Sequence, residues 1–201
     1  MYHRTSQFAR ATKEGDHDFA SFGQTVIQTT LNQYGRGMLY RCWHLRDCAW
    51  MEDASGAVTT VYRRWKPSVR MLVALFGKDK LHPDLVKKLE REPYYEATIW
   101  HVIVPSDQCE YGKKVSQPFK SIYIDVEHKH IIEEVGVVEQ EYSVPRWQTV
   151  SGSQYAYSPA TIAALPDARL IQAMTAVLLE AGEKAVSPPM VATQEAIRGD
   201  I

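Results

Sequence analysis

Cysteine is scarce in this chain: Cys42, Cys48 and Cys109 are the three in 201 residues. A sparse, odd set excludes a disulfide framework and fits synthesis in a reducing compartment. Charge of one sign is lacking too. Twenty-three basic residues stand against 24 acidic ones, for a formal net charge of −1. That excludes a globally basic nucleic-acid binder and leaves room only for a local basic stripe. No apolar run approaches the ~18–20 residues of a membrane span, and residues 1–20 contain no apolar core of the kind a signal peptide needs. Internal repeats and low-complexity tracts are absent. So are the Gly-x-Ser-x-Gly elbow, the His-Glu-x-x-His pair and the phosphate-binding loop. Chemistry alone therefore names no reaction, and a structural or interaction role is the better inference.

What is present is the composition of a folded domain. Hydrophobic residues make up 45% and charged residues 23%, near globular averages. The length suits one large domain or two small ones, at roughly 100–200 residues each.

Residues 1–18 are polar and charged with no sustained period, and read as a loose leader. Phe22, Val26, Ile27 and Leu31 suggest a helix within 19–34. Gly35-Arg36-Gly37 reads as a turn, because no Gly-Lys-Ser/Thr follows it. Residues 38–45 and 57–65 read as strands, the second rich in β-branched and aromatic residues. The turn cluster at 52–56 predicts a β-hairpin around Asp53 and Gly56. Pro67 and Ser68 open a helix with an apolar stripe of Met71, Leu72, Leu75 and Phe76, stopped by Gly77. His82-Pro83-Asp84 opens another, with Leu85, Val86 and Leu89 on one side, ended by Glu92-Pro93. Residues 95–104, 119–126 and 130–138 read as strands, the last two joined by a turn at His128-Lys129. Ser151-Gly152-Ser153 is a flexible turn. Ser158 and Pro159 then suit the N-cap and first position of a helix that Pro166 breaks or restarts. From Asp167 onward Leu170, Met174, Val177 and Ala181 recur at helical spacing, flanked by Ile171 and Leu178. This is a long amphipathic helix ending near Val186. The fold class is α+β.

Charge is unevenly placed. Over 67–91 six bases (Arg70, Lys78, Lys80, Lys87, Lys88, Arg91) face three acids (Asp79, Asp84, Glu90). A solvated helix face is the ordinary explanation. Over 127–141 five glutamates, at 127, 133, 134, 139 and 141, face Lys129.

Few groupings suggest chemistry. Cys42-x-His44-x3-Cys48 lacks the second pair a structural zinc site needs. His128-x-His130 would put two imidazoles on one strand face, half a metal site, but no third ligand follows at a motif spacing, and a polar hairpin tip explains it. Glu133 and Glu134 fall on opposite strand faces, poor geometry for acid/base work. Tyr62-Arg63-Arg64-Trp65 mixes bases with aromatics as single-strand binders do, although strand alternation explains it as well.

A resemblance emerges from the order of several motifs. Tyr157-Ser158-Pro159-Ala160 continues to Ala164-Leu165-Pro166-Asp167, then the long helix, then Lys184-Ala185-Val186-Ser187-Pro188-Pro189-Met190. This resembles the head-to-tail connecting (portal) protein family of short-tailed bacteriophages, with its Ser-Pro-Ala start, Leu-Pro-Asp step and Lys-Ala-x-x-Pro-Pro ending. Ser143-Val144-Pro145-Arg146-Trp147 is similar to the family's Val-Pro-Arg-Trp. Val61-Tyr62-Arg63-Arg64-Trp65 leading to Leu75-Phe76-Gly77 is similar to its strand-to-helix segment. The similarity covers roughly residues 35–192. Ala156-Tyr157 stands where the family commonly has Gly-Arg.

The resemblance implies a subunit without catalysis or cofactor. Portal subunits assemble with copies of themselves into a ring, typically a dodecamer, at one capsid vertex of the virion. Double-stranded DNA passes non-specifically through the channel during packaging and ejection. Terminase docks first and tail proteins later, assembly takes place in the bacterial host cytoplasm, and no membrane is involved. A full subunit is much longer, so this chain corresponds to a central fragment. The implied division is a loose leader over 1–18, a wing-like β segment over 19–66 and stem-type helices over 67–92. A clip-like α/β sheet follows over 93–150, then a long stem-type helix with a C-terminal tail over 151–201. Lys87, Lys88, Arg91 and Lys184 are then the candidates for facing DNA phosphate. A different class stays open: a stand-alone α+β domain binding a ligand or metal through His101, His128 and His130. Bound metal would favour it, and ring assembly without metal would favour the portal reading.

Overall fold

In the computed structural model, which describes residues 6–188 except 33, 34, 36, 111, 113 and 151, the chain opens with helix α1 (Phe8–Phe22). The loose leader expected over 1–18 is thus helical from Phe8 onward. Its buried seam is made of Ala11, Gly15 and Asp18, one position per turn. Small residues let the helix lie close: a Cβ on Gly15 would come within 3.2 Å of Thr25 Oγ1. That seam carries almost no apolar signal, so periodicity misses it. Residues 1–5 and 189–201 lie outside the described residues, with Pro189 and Met190 of the family-like ending, Tyr34 at the end of the expected 19–34 helix, and Arg36 and Ser151 of the expected turns.

Gly23, at φ +75°, ends α1 by donating its N–H to the Phe19 carbonyl. The helix expected over 19–34 stops there, and β1 (Val26–Leu31) is a strand. Val26, Ile27, Thr29 and Thr30 explain the change, since β-branched side chains favour the pleated sheet. β1 pairs antiparallel with β2 (Met38–Trp43), from Val26 opposite Trp43 to Leu31 opposite Met38. Between them Asn32 donates its N–H to the Gly37 carbonyl at 2.7 Å, closing the expected turn. A third strand, the short β8 (Tyr142–Ser143), gives the order β2-β1-β8.

The larger sheet has five strands. These are β3 (Cys48–Glu52), β4 (Val58–Trp65), β5 (Ile99–Pro105), β6 (Phe119–Asp125) and β7 (His130–Val137), in that order across the sheet and all antiparallel. The hairpin around Asp53 is as expected. Its Oδ1 accepts from the N–H groups of Ser55 at 2.8 Å and Ala57 at 3.0 Å. Its first strand, however, is β3. The 38–45 strand ends at Trp43, and a 3-10 turn at Leu45–Asp47, capped by the His44 side chain, leads into β3. β9 (Gln148–Thr149) and β10 (Ala156–Tyr157) form a separate two-stranded ribbon.

Helices α2 (Val69–Phe76) and α3 (Pro83–Arg91) connect β4 to β5, with caps where the sequence puts them: Ser68 and Gly77 for α2, His82 for α3. At eight and nine residues they are too short to stand alone. They pack on one face of the sheet, where Val69, Leu72, Leu81 and Leu85 meet Ala97, Ile99 and Ile132. A second cluster, Val26, Trp50, Val61, Ile103 and Tyr142, joins the three-stranded sheet to the other. One sheet thus draws strands from both 19–66 and 93–150, and the helices between lie on it.

Contacts divide the chain into two units, Met1–Ser158 and Pro159–Ile201. The described residues of the second unit are helical up to Val186. A π turn at Ala160–Ala164 leads into α4 (Leu165–Val186). Of the two outcomes expected at Pro166, a break or a restart, the helix restarts, changing from π to α at Leu165. The π turn bonds the Leu165 N–H back to the Ala160 carbonyl, and Pro166 falls in the first turn of α4, where a missing N–H costs least. Although Asp167 and Arg169 interrupt the apolar run, Ala160–Val186 is long and apolar enough, by length and composition, to cross a membrane. The expectation that no segment approaches a span is corrected to that extent.

Candidate functional site

The most conspicuous surface is on α4. Leu170, Ile171, Met174, Val177 and Leu178 are between 57% and 69% exposed. At 100° per residue they fall, with Ala181, on one stripe about a third of the helix circumference wide. Arg169, Gln172, Glu180 and Glu183 fall outside it. From Leu170 to Ala181 the stripe runs along about 17 Å of the 22-residue helix. Nothing in the sequence of α4 itself can bury this stripe, and an uncovered apolar surface of this kind marks an interaction site.

The four basic candidates do not form one cluster. Lys87, Lys88 and Arg91 share α3, where Lys87 and Arg91, four apart, lie on one face. Lys184 is in the second unit, in the last turn of α4. Lys87 Nζ is 3.1 Å from Asp84 Oδ1, and Lys184 Nζ 2.7 Å from Glu180 Oε1. Lys88 Nζ lies 3.6 Å from the Tyr95 ring centroid. Arg91 is exposed near the end of α3. Of the other bases in the stretch, Lys80 pairs with Glu133 at 2.6 Å. The local positive excess is thus partly neutralised where it stands.

A buried polar row runs across the five-stranded sheet between its two apolar clusters. Register sets Arg63 opposite His101, His101 opposite Tyr123, and Tyr123 opposite Glu133. The row arises because β4 and β5 alternate apolar and polar on one face: Val61, Arg63, Trp65 and Ile103, His101, Ile99. Arg63 is 3% exposed, its guanidinium 4.0 Å from the Trp43 ring centroid and 5.2 Å from that of Trp65. His101 is wholly buried. Its Nδ1 is 2.6 Å from the Tyr142 hydroxyl and its Nε2 2.8 Å from Ser121 Oγ, and its ring stacks on Tyr123 at 4.0 Å. Burial, then the Arg63 charge, holds the His101 pKa well below the ordinary imidazole value. Burial pushes the Tyr123 hydroxyl up to about 12. Arg64, on the outer face, donates to Asp47 Oδ1 at 2.7 Å and so lowers the Asp47 pKa. Strand alternation therefore accounts for Tyr62-Arg63-Arg64-Trp65, with the unforeseen detail that Arg63 is the inward residue.

This row positions; it does not react. A histidine with both nitrogens engaged and no solvent access is not available as a base or a ligand. The expected grouping of His101 with His128 and His130 is accordingly corrected. His128 and His130 also do not share a strand face, since His128 lies in the turn and His130 begins β7. Glu133 and Glu134 do face opposite ways, Glu133 to Lys80 and Glu134 to the buried Lys120 at 3.0 Å. Cys42 and Cys48 are not joined in a disulfide, and burial raises the Cys48 pKa to about 12.

Known proteins supply the context for these surfaces. A probable portal protein of Bordetella phage BPP-1 is 29% identical over 206 residues, taking in 100% of this chain. The portal protein of Salmonella phage epsilon15 is 29% identical over 143 residues, or 68% of this chain. The chain spans 37% of the length of the first and 26% of the second. The bacteriophage head to tail connecting protein family matches residues 2–201, nearly the whole chain, and the chain belongs to that family.

Proposed function

We propose that this chain is the portion of a portal subunit that assembles with copies of itself into a ring, through which double-stranded DNA passes during packaging and ejection. The observation that carries this reading is the exposed stripe of Leu170, Ile171, Met174, Val177 and Leu178. A ring needs heterologous contacts, one patch of each subunit meeting a different patch of the next, and an uncovered helix face offers one such patch. In this reading α4 is the long stem-type helix and the five-stranded sheet carries the wing and clip elements. Lys87, Lys88, Arg91 and Lys184 face the phosphate backbone without reading sequence. The role is structural, with no catalysis. The assembly sits at the capsid vertex of the virion after forming in the host cytoplasm, and its partners are terminase, capsid and tail proteins. The charged Asp167 and Arg169 within α4, beside Pro166, favour a protein neighbour over lipid.

Mass in solution tests the reading. Light scattering after size exclusion, across protein concentration, is expected to show an oligomer that shifts to lower mass in a Met174→Glu/Val177→Glu variant. A monomer at every concentration would overturn assembly through this face.

A further inference from the structure

His82, His128 and His130, three of the chain's seven histidines, meet where the start of α3 abuts the β6–β7 turn. The His82 and His128 rings stack with centroids 4.5 Å apart and planes at 16°. His130 stands edge-on to His82 at 5.9 Å. Asp84, in the first turn of α3, joins them: one donor atom from each of His82, Asp84 and His128 lies within 4.8 Å of the others. We propose that His82, Asp84 and His128 bind one divalent cation of the zinc type, tying the start of α3 to the β6–β7 turn; this structural tie does not use the buried His101, so metal bound here does not favour a ligand-binding domain over the portal reading.

The hydrogen bonds around the cluster support this assignment. Asp125 is fully buried. Its Oδ1 accepts from the N–H groups of Glu127 at 3.0 Å and His128 at 3.4 Å. Its Oδ2 lies 2.6 Å from His128 Nδ1. A carboxylate accepts, so His128 Nδ1 carries the proton and Nε2 keeps its lone pair. A carboxylate that fixes the tautomer and orientation of an imidazole is the usual support behind a histidine ligand. His130 Nε2 lies 3.0 Å from the Lys80 carbonyl, to which it must donate, so this ring anchors the segment just before His82. Lys87 takes Asp84 Oδ1 and leaves Oδ2 turned to His82, 3.6 Å from its Nδ1.

Two imidazoles and one carboxylate suit a borderline cation such as zinc rather than calcium or magnesium, which prefer oxygen donors. Three protein ligands leave a fourth position open. Tetrahedral ligands at ~2.0 Å from zinc stand about 3.3 Å apart, so the donors close inward on the ion. Asp84, with a side chain 53% exposed, has the freedom to do so, whereas His82, 31% exposed, ligates by giving up the 3.3 Å bond that its Nδ1 accepts from the Asp84 N–H at the start of α3.

The test is zinc binding to the 201-residue chain after chelator treatment, by equilibrium dialysis, with cobalt as a spectroscopic substitute. Expected is one zinc per chain, and a visible cobalt spectrum of a nitrogen/oxygen site without thiolate bands. Affinity should fall at least tenfold in His82→Asn and in Asp84→Asn and stay unchanged in His17→Ala. Asn at 82 can still cap α3, so the first variant removes the ligand and leaves the helix start intact. No binding by the parent chain, equal binding by the His82→Asn and Asp84→Asn variants, or thiolate bands in the cobalt form would each overturn the proposal.

Discussion

Gly23 lies so close to Tyr157 that a Cβ on it would stand 2.4 Å from the Tyr157 carbonyl oxygen. The glycine also has φ +75°, so two separate constraints meet at the end of α1. Gly23→Ala is expected to cost about 1–2 kcal/mol for the left-handed backbone alone, plus the displacement of the 156–158 backbone. Gly56→Ala supplies the reference, because Gly56 has φ +81° and nothing within 4 Å of its built Cβ. Urea unfolding should show a clearly larger loss for Gly23→Ala. Equal losses would mean that the approach to Tyr157 contributes nothing.

The buried His101 links stability to pH. Its folded pKa is depressed, whereas the unfolded chain takes up a proton near pH 6.5. Below that value the unfolded state binds more protons at this site, so the contribution of His101 is present at neutral pH and is lost as pH falls. The slope approaches about 1.4 kcal/mol per pH unit for one proton. Burial raises the Glu141 pKa, which acts in the opposite sense, from the ordinary carboxylate range upward. The His101 share is isolated by comparison with His101→Gln. Urea unfolding from pH 7.5 down to 5.5 should show a steeper decline in the parent chain, and parallel declines would sink the assignment.

Leu85 is fully buried beneath α3, whereas Leu75 on α2 is 56% exposed. Leu85→Ala should therefore cost about 2–5 kcal/mol, and Leu75→Ala about 0.5 kcal/mol or less. Similar losses in urea unfolding would show that α3 is not held on the sheet by this contact.

Legibility in the sequence followed the range of the forces involved. The caps Ser68, Gly77 and His82, the Asp53 hairpin and the long 165–186 helix are local features, and each was readable from neighbours a few residues away. The α1 seam of Ala11, Gly15 and Asp18 was not, because close packing by small side chains leaves no hydrophobic period. β3, Cys-Ala-Trp-Met-Glu, lacks β-branched residues and is a strand only because β4 pairs with it. The interleaving of the 19–66 and 93–150 segments in one sheet is a long-range pairing that no window reveals. The histidine cluster failed to register for the same reason: His128-x-His130 has no third ligand nearby in sequence, and His82 with Asp84 arrives from another element. Family motifs carried the identification, since their order along the chain is read directly from the sequence.

The basic residues allow a graded prediction for DNA. Each phosphate contact made by a cation steepens the salt dependence of binding by about 0.9 in log–log slope on duplex DNA. Lys87 is held by Asp84 and Lys184 by Glu180, so each must leave a carboxylate to reach phosphate. Lys88 rests on the Tyr95 ring. Arg91, exposed near the end of α3, is the residue for which contact demands least rearrangement. Arg91→Gln should reduce the salt slope of non-specific duplex binding by about 1, and Lys87→Gln by less. A contact made to backbone carries no sequence information, so the expected loss is the same for unrelated DNA sequences. A slope unchanged by Arg91→Gln and reduced by Lys87→Gln would reverse this order, and a parent chain that shows no salt-dependent binding in its largest assembled form would remove α3 from the DNA-facing surface altogether.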